Sequence, residues 1–388
     1  MNPVFIAGDH IITSMGFSSE ETASGILENI TGFRIISDRN LTPSPVPLSL
    51  VNSEMLEERF EKVLLSTYPG KTISGYTRME KMFILSIHEA TKKFGKDIFD
   101  EQTLPVFSTT KGNINLLEEA VGKQFDPTRL YLWKMAEVVQ HFFGFANKPL
   151  IISNACISGV LALSVASRYL KQGRFKRAVV TGGDILSEFV VSGFLSFQAL
   201  SPEPCKPFDA LRNGLSLGEG CGTILLSTDA SESSEIRVAG SGTSNDANHI
   251  SGPSRTGEEL SMAVSKALNE SGLRTDALDF ISAHGTATLY NDEMESKSIG
   301  LLGCGNVPVN SFKGYWGHTL GGAGILESVM TLHSMKENIL FRSAGYSENG
   351  VPGKVNVIRE HINKPVNTAL KIASGFGGCN AAVIFRKG

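Results

Sequence analysis

The 388-residue chain has almost no net charge, a formal −3 at pH 7, and no basic run reaches five residues. A nucleic-acid binder normally carries a basic domain, so that class is set aside, and an acidic partner must be met by a local patch. No pair among the five cysteines, Cys156, Cys205, Cys221, Cys304 and Cys379, has the close spacing of a zinc or redox motif. Reduced thiols in a cytoplasmic protein are the expectation. The stretch Met1 to Gly8 has no charged leader, and no apolar run approaches the length that spans a bilayer. Neither secretion nor membrane insertion is expected. Long disorder is excluded as well, because 41% of the residues are hydrophobic and only 19% charged.

What is plentiful is glycine. The 40 glycines fall largely in short runs beside polar residues, which favours tight turns at a working site over linkers. Apolar strand-like runs alternate with helical periodicity from Val4 to Phe385, the pattern of an α/β fold. Strands are expected at 4–7, 106–108, 149–152, 178–184, 223–226, 236–239, 278–283, 307–310, 370–373 and 382–385. Helices are expected at 20–29, 79–93, 131–143, 160–170, 258–268, 291–300 and 319–336. Residues 40–78, rich in Pro, Ser and charge, read mostly as loop, and Phe194 to Leu200 as a short apolar segment. The strand–glycine turn–helix theme recurs in both halves, with the join near residue 233: one unit over 1–232 and a second over 233–388.

The first of these turns carries Cys156. A strand ending at Ile152 and an apolar helix from Val160, stopped at Gly173, place it at the start of the helix. Unpaired N–H groups and the helix dipole there favour a thiolate and can hold an oxyanion. By itself the stretch is equally compatible with a small core hydrophobe. Two histidines stand at comparable places, His284 in Ser282-Ala283-His284-Gly285-Thr286-Ala287-Thr288, and His318 in Lys313-Gly314-Tyr315-Trp316-Gly317-His318. Strand ends are where ligands bind in such folds. The other six, His10, His88, His141, His249, His333 and His361, read as ordinary imidazoles. One thiol and two imidazoles suit acyl transfer followed by stabilisation of an enolate oxygen, since neutral imidazoles donate N–H bonds to a carbonyl. No metal is expected. Cys156, His284 and His318 as metal ligands is the alternative, and it leaves Lys313 unexplained.

The ordered set Asn154-Ala155-Cys156-Ile157-Ser158-Gly159, Pro207-Phe208-Asp209 with Gly218-Glu219-Gly220, His284-Gly285-Thr286-Ala287-Thr288, Lys313 with Gly317-His318, and Gly375-Phe376-Gly377-Gly378-Cys379-Asn380 resembles the elongating β-ketoacyl-acyl carrier protein synthases. The resemblance spans essentially the whole chain. It implies the thiolase fold, two similar α/β halves in a five-layer αβαβα arrangement, usually as a homodimer, with a heterodimer as the variant found in some polyketide systems. It implies that Cys156 accepts an acyl group from a carrier protein and that malonyl on a second carrier protein is decarboxylated and condensed with it. No resident cofactor is implied, because the phosphopantetheine arm arrives on the carrier. By motif match, His284 and His318 stabilise the enolate, and Lys313 and Glu295 orient the site around His318. The N–H groups of Cys156 and Phe376 form the oxyanion hole, and Thr286 and Thr288 hold the pantetheine arm. Phe376, beside Gly377, gates the acyl pocket with Phe194. Cys379, where a threonine is usual, reads as structural. Gln198, Ile157, Gly314 and Trp316 depart from the usual pattern and leave open fatty-acid, aryl polyene or other type II polyketide synthesis. A non-catalytic chain-length factor or scaffold is the contrasting role, against which the retained Cys156, His284, Lys313 and His318 argue.

Overall fold

The computed structural model describes every residue except 1, 69, 73 and 249–251, and of Lys96 only the backbone; His249 thus lies outside the described residues. Ten strands form the frame. In the first half they are β1 (Phe5–Ile12), β2 (Thr103–Ser108), β3 (Leu150–Ile152), β4 (Arg177–Asp184) and β5 (Gly220–Ser227). In the second they are β6 (Ile236–Asn245), β7 (Phe280–Ser282), β8 (Pro308–Asn310), β9 (Thr368–Gly375) and β10 (Cys379–Lys387). Their order across the sheet is β8-β7-β9-β10-β6-β1-β5-β4-β2-β3, with the short strand Asn356–Val357 beyond β8. Numbered within each half, both run 3-2-4-5-1, so the repeat expected from the glycine turns exists as topology. The halves meet where β1 pairs antiparallel with β6 at Phe5 and Arg237.

Strands here are apolar on both faces because both are covered. Val180 and Leu226 enter one core while Val179 and Leu225 enter another, and in β10 Ala381, Val383 and Phe385 alternate the same way with Ala382 and Ile384. The helices over the first outer face include α1 (Ser53–Thr67), α2 (Arg78–Thr91) and α3 (Leu132–Phe143). Two helices fill the middle layer, α4 (Ser158–Lys171) and, late in the chain, the helix Ala323–Glu337; Glu258–Ser271 and Leu289–Leu301 cover the far face. In chain order after α4 we number these α5 (Glu258–Ser271), α6 (Leu289–Leu301) and α7 (Ala323–Glu337). Among the described residues three cores lie between the five layers, and a fourth apolar cluster holds Val46, Leu48, Val190 and Leu217.

The middle helices touch through their backbones. A Cβ on Gly159 would stand 2.7 Å from the Ile325 nitrogen, and one on Gly324 would collide with the Val160 nitrogen. Only glycine on both sides permits this approach. It brings the start of α4, which follows β3, against the start of α7, which follows β8, and so sets the two catalytic-looking turns side by side. Gly173, at φ +72, ends α4 as expected, and the Arg174 N–H closes on the Tyr169 carbonyl at 3.1 Å.

One expectation is corrected, and one segment without an assigned element is placed. Residues 40–78 are not mostly loop: they hold the strand Val46–Ser49 and the 15-residue α1, capped by the Asn52 side chain. The buried Leu56, Phe60, Val63 and Leu64 give α1 its helical stripe, a period masked by the Pro and Ser residues before it. The short apolar segment at 194–200 belongs to a helix, Glu188–Ser196, capped by Ser187, and the turn after it. Among the described residues no helix is long and apolar enough to cross a membrane.

Candidate active site

Cys156 sits between β3 and α4 on a turn with non-glycine strain. Ala155 has φ +42, a left-handed conformation that costs an L-residue roughly 1 kcal/mol. The Ser158 hydroxyl fixes the turn, donating to the Ala155 carbonyl at 2.6 Å and accepting from the Asn154 N–H at 2.8 Å. The strain holds the thiol at the mouth of the helix, facing the turns that follow β7 and β8.

Those turns deliver the histidines. A thiol or imidazole atom from each of Cys156, His284 and His318 lies within 4.8 Å of the others, and the rings stand edge to face with centroids 5.2 Å apart. Both nitrogens of the buried His318 lack a protein partner. His284 is placed by Lys313, whose Nζ donates to the His284 carbonyl at 2.6 Å and lies 3.4 Å from its Nδ1. Burial, then the Lys313 ammonium, hold both imidazoles well below the usual histidine range, so both are neutral at pH 7.

Glu295 and Lys313 direct their hydrogen bonds to the His284 segment, and toward His318 Lys313 acts through its charge alone. The Glu295 carboxylate accepts the His284 and Gly285 N–H groups at 2.6 Å each, and Asn291 Nδ2 at 2.8 Å. It fixes the strand end on which His284 sits. Burial, then Asp292, push the Glu295 carboxyl up to about 7; Asp292 itself, raised to about 6 by burial, accepts the Thr286 and Ala287 N–H groups.

The expected thiolate is corrected too. Burial pushes the Cys156 thiol up to about 12, and the nearby Lys313 only partly offsets it. The helix begins at Ser158, two residues past the thiol, so its dipole acts at some distance. Cys156 rests as a thiol and must lose its proton as it attacks.

The Gly375–Gly378 loop closes over the nucleophile. The Phe376 N–H donates toward the Cys156 thiol, and a Cβ on Gly375 would stand 3.1 Å from both the Cys156 nitrogen and the Cys379 Sγ. Cys379 bonds the Phe376 carbonyl at 3.3 Å. The Phe376 ring is stacked against Phe194 at 6.1 Å and edge-on to Phe197 at 5.7 Å. Gly377, at φ +85, has open space around its Cα. The Thr286 and Thr288 hydroxyls are 2.9 Å apart. Phe194, Phe197, Phe376, Thr286, Thr288 and the Cys–His–His cluster line one cavity of about 500 Å³, and Gly377 and Cys379 stand outside its lining. A larger cleft of about 1130 Å³, among Phe17, Arg59, Lys62 and His88, contains no such cluster.

Residues 1–231 match the family model described as beta-ketoacyl synthase, N-terminal domain, and residues 236–347 match beta-ketoacyl synthase, C-terminal domain. The chain belongs to the beta-ketoacyl synthase family. The family is one of acyltransferase enzymes. Nodulation protein E of Rhizobium leguminosarum bv. trifolii is 30% identical to this synthase over 342 residues, covering 82% of this chain and 84% of that one. The 3-oxoacyl-acyl-carrier-protein synthase 2 of Rhizobium meliloti (strain 1021) is 30% identical over 283 residues, 68% of this chain and 66% of its own. Among solved structures, the ketosynthase in complex with its chain length factor from Xenorhabdus doucetiae gives a TM-score of 0.87 at 21% identity, covering 100% of this chain and 98% of that one. A beta-ketoacyl synthase from Burkholderia phymatum STM815 gives 0.87 at 23%, with 100% of each chain covered. The synthase thus has the thiolase fold, as the resemblance implied.

Two members of the site were missed from sequence. Glu327 of α7 and Lys371 of β9 are buried, and they join Lys313 in one charge cluster. Each is a lone charge in a largely apolar stretch, Ile325 to Met330 and Leu370 to Ala373, which is the signal that would have found them.

Proposed function

We propose that this chain is an elongating β-ketoacyl synthase that joins an acyl group on Cys156 to a malonyl unit, both delivered by acyl carrier protein. The supporting observation is the Cys156–His284–His318 cluster, with two neutral imidazoles and one thiol facing a single cavity. Cys156 Sγ attacks the acyl thioester, and its proton passes through an imidazole to the departing pantetheine sulfur. The tetrahedral oxyanion is held by the N–H groups of Cys156 and Phe376. The malonyl C–C bond to the carboxylate then breaks, carbon dioxide leaves, and the electron pair becomes an enolate whose oxygen accepts bonds from His284 and His318. The enolate carbon attacks the Cys156 thioester, the C–S bond breaks, and a 3-oxoacyl thioester two carbons longer departs. The sulfur recovers a proton from solvent.

Thr286 and Thr288 hold the pantetheine arm, and no resident cofactor is required. Phe194 and Phe376 close the acyl pocket, with Gly377 leaving the loop room to move. The trio would suit a metal by distance but not by charge, because the buried ammonium groups of Lys313 and Lys371 make the site cationic. The partner is an acyl carrier protein, and the synthase acts as a homodimer or beside a chain-length partner. The pathway is fatty-acid synthesis or a type II polyketide or aryl polyene branch. Incubation with acyl- and malonyl-carrier proteins should give the 3-oxoacyl-carrier product by mass spectrometry. A folded chain that forms none, alone or with a partner subunit, would be a scaffold instead.

A further inference from the structure

Lys371 is fully buried in β9, between Leu370 and Ile372. Its Nζ donates to the carbonyls of Ser282 and Ala283 at 3.2 and 2.9 Å, the two residues before His284. It also forms an ion pair with Glu327 Oε2 at 2.5 Å, while Lys313 Nζ donates to Glu327 Oε1 at 2.5 Å. Two ammonium groups share one carboxylate, and all three side chains are at most 1% exposed. Within this trio one positive charge is left over, and burial works against the Lys371 ammonium while Glu327 favours it. An uncompensated buried charge is costly, so something must offset its cost.

We propose that Lys371 is a positioning residue for the condensation: it fastens the strand end that carries His284 and places the excess positive charge behind the imidazole pair. This rests on the decarboxylative reading above. Negative charge travels in that reaction from a carboxylate to an enolate oxygen beside His284 and His318. A fixed cation behind the rings stabilises it there, in a dry site where the field is strong. The cation also keeps the rings neutral, so that each donates a hydrogen bond to the enolate oxygen and not its proton. An imidazolium would hand its proton to the enolate carbon and release an acetyl thioester before the carbon–carbon bond formed. Other titratable groups face the pair as well. Burial raises the Glu295 and Asp292 carboxyls, on α6, to about 7 and about 6, so near pH 7 they carry part of the balancing negative charge, and Asp292 also faces Arg212. Cys156 is a thiol, and Asp184 is occupied by the Thr109 and Thr110 hydroxyls and the N–H groups of Thr110, Lys111 and Gly321.

The test compares the full-length chain with Lys371→Met and Lys371→Arg, using malonyl-carrier protein. Lys371→Met should lower kcat for carbon dioxide release on the order of tenfold, with KM nearly unchanged. It should move the acid limb of the pH profile upward by about one unit and raise the acetyl share of the product. Acylation of Cys156, read by intact mass, should persist. Lys371→Arg should restore the wild-type profile. An unchanged profile in Lys371→Met, or the same loss in both variants, overturns the proposal and leaves a packing role. If Lys371→Met does not fold, Lys371→Gln, which keeps a donor to the Ser282 and Ala283 carbonyls but not the charge, decides: an acid limb moved upward supports the excess charge, and a wild-type profile overturns it. A wild-type chain that releases no carbon dioxide from malonyl-carrier protein overturns the reaction itself, an outcome distinct from either.

Discussion

Lys313 Nζ lies 2.6 Å from the His284 carbonyl oxygen and 3.4 Å from the Nδ1 of the same residue. An ammonium group only donates, so Nδ1 accepts and the ring proton sits on Nε2. The contact therefore fixes both the place of His284 and the atom that donates to substrate. Lys313→Met should lower malonyl decarboxylation by about a hundredfold, the scale of a mispositioned donor. Carbon dioxide release at saturating substrate measures it, and a loss under threefold would contradict the assignment.

The thiol and the imidazoles serve different steps. Cys156→Ala should abolish 3-oxoacyl product while malonyl-carrier protein still loses carbon dioxide and becomes acetyl-carrier protein. Loss of both reactions together would mean that the cluster works as one unit and not in sequence. Product masses from one incubation separate the two cases.

Burial depresses both active-site histidines, and the sign of the stability effect follows. A group that binds its proton more weakly when folded contributes stability that is complete above the unfolded value of 6.5 and is lost as pH falls below it. Glu295, raised to about 7 from 4.5, acts in the opposite sense, its contribution falling as pH rises through that window. Comparison with the His284→Asn/His318→Asn variant isolates the histidines. The urea midpoint of the wild type should drop more between pH 7.5 and 5 than that of the variant. Equal drops would show that the two rings titrate normally.

The backbone contact between the middle helices makes a stability prediction away from the chemistry. In Gly159→Ala the new methyl meets the Ile325 nitrogen at 2.7 Å, and the facing backbone cannot rotate away. A loss of about 3 kcal/mol is expected in chemical denaturation, at the upper end of overpacking costs. The same change would shift α4 against α7 and so widen the spacing of Cys156 from His318, which should appear as slower acylation in the molecules that remain folded.

Much of this arrangement was legible in the sequence because strands, turns and glycines carry local signals. The strand–turn–helix units around Cys156, His284 and His318 fall where the apolar periods place them. What stayed hidden was relational. Sequence spacing gives no hint that Glu295, one residue past Met294 on α6, reaches back to the His284 backbone instead of His318. The resting state of Cys156 depends on how deeply three elements bury it, which its place before a helix does not reveal. Lys371 and Glu327 were within reach, since a single charge inside an apolar strand or helix requires a buried partner. Helix α1 was obscured by Pro43, Pro45 and Pro47, which belong to the preceding strand and loop and not to the helix itself.

The most direct test of the central claim is intact-protein mass spectrometry after exposure to a panel of acyl carrier proteins, with short and long aliphatic chains and one aryl-polyene chain. The proposed reaction predicts a mass gain of one acyl group, mapped to Cys156, that disappears when malonyl-carrier protein is added. The chain that loads also identifies the pathway. A folded protein that gains no mass from any donor, or gains it at a residue other than Cys156, would contradict the account.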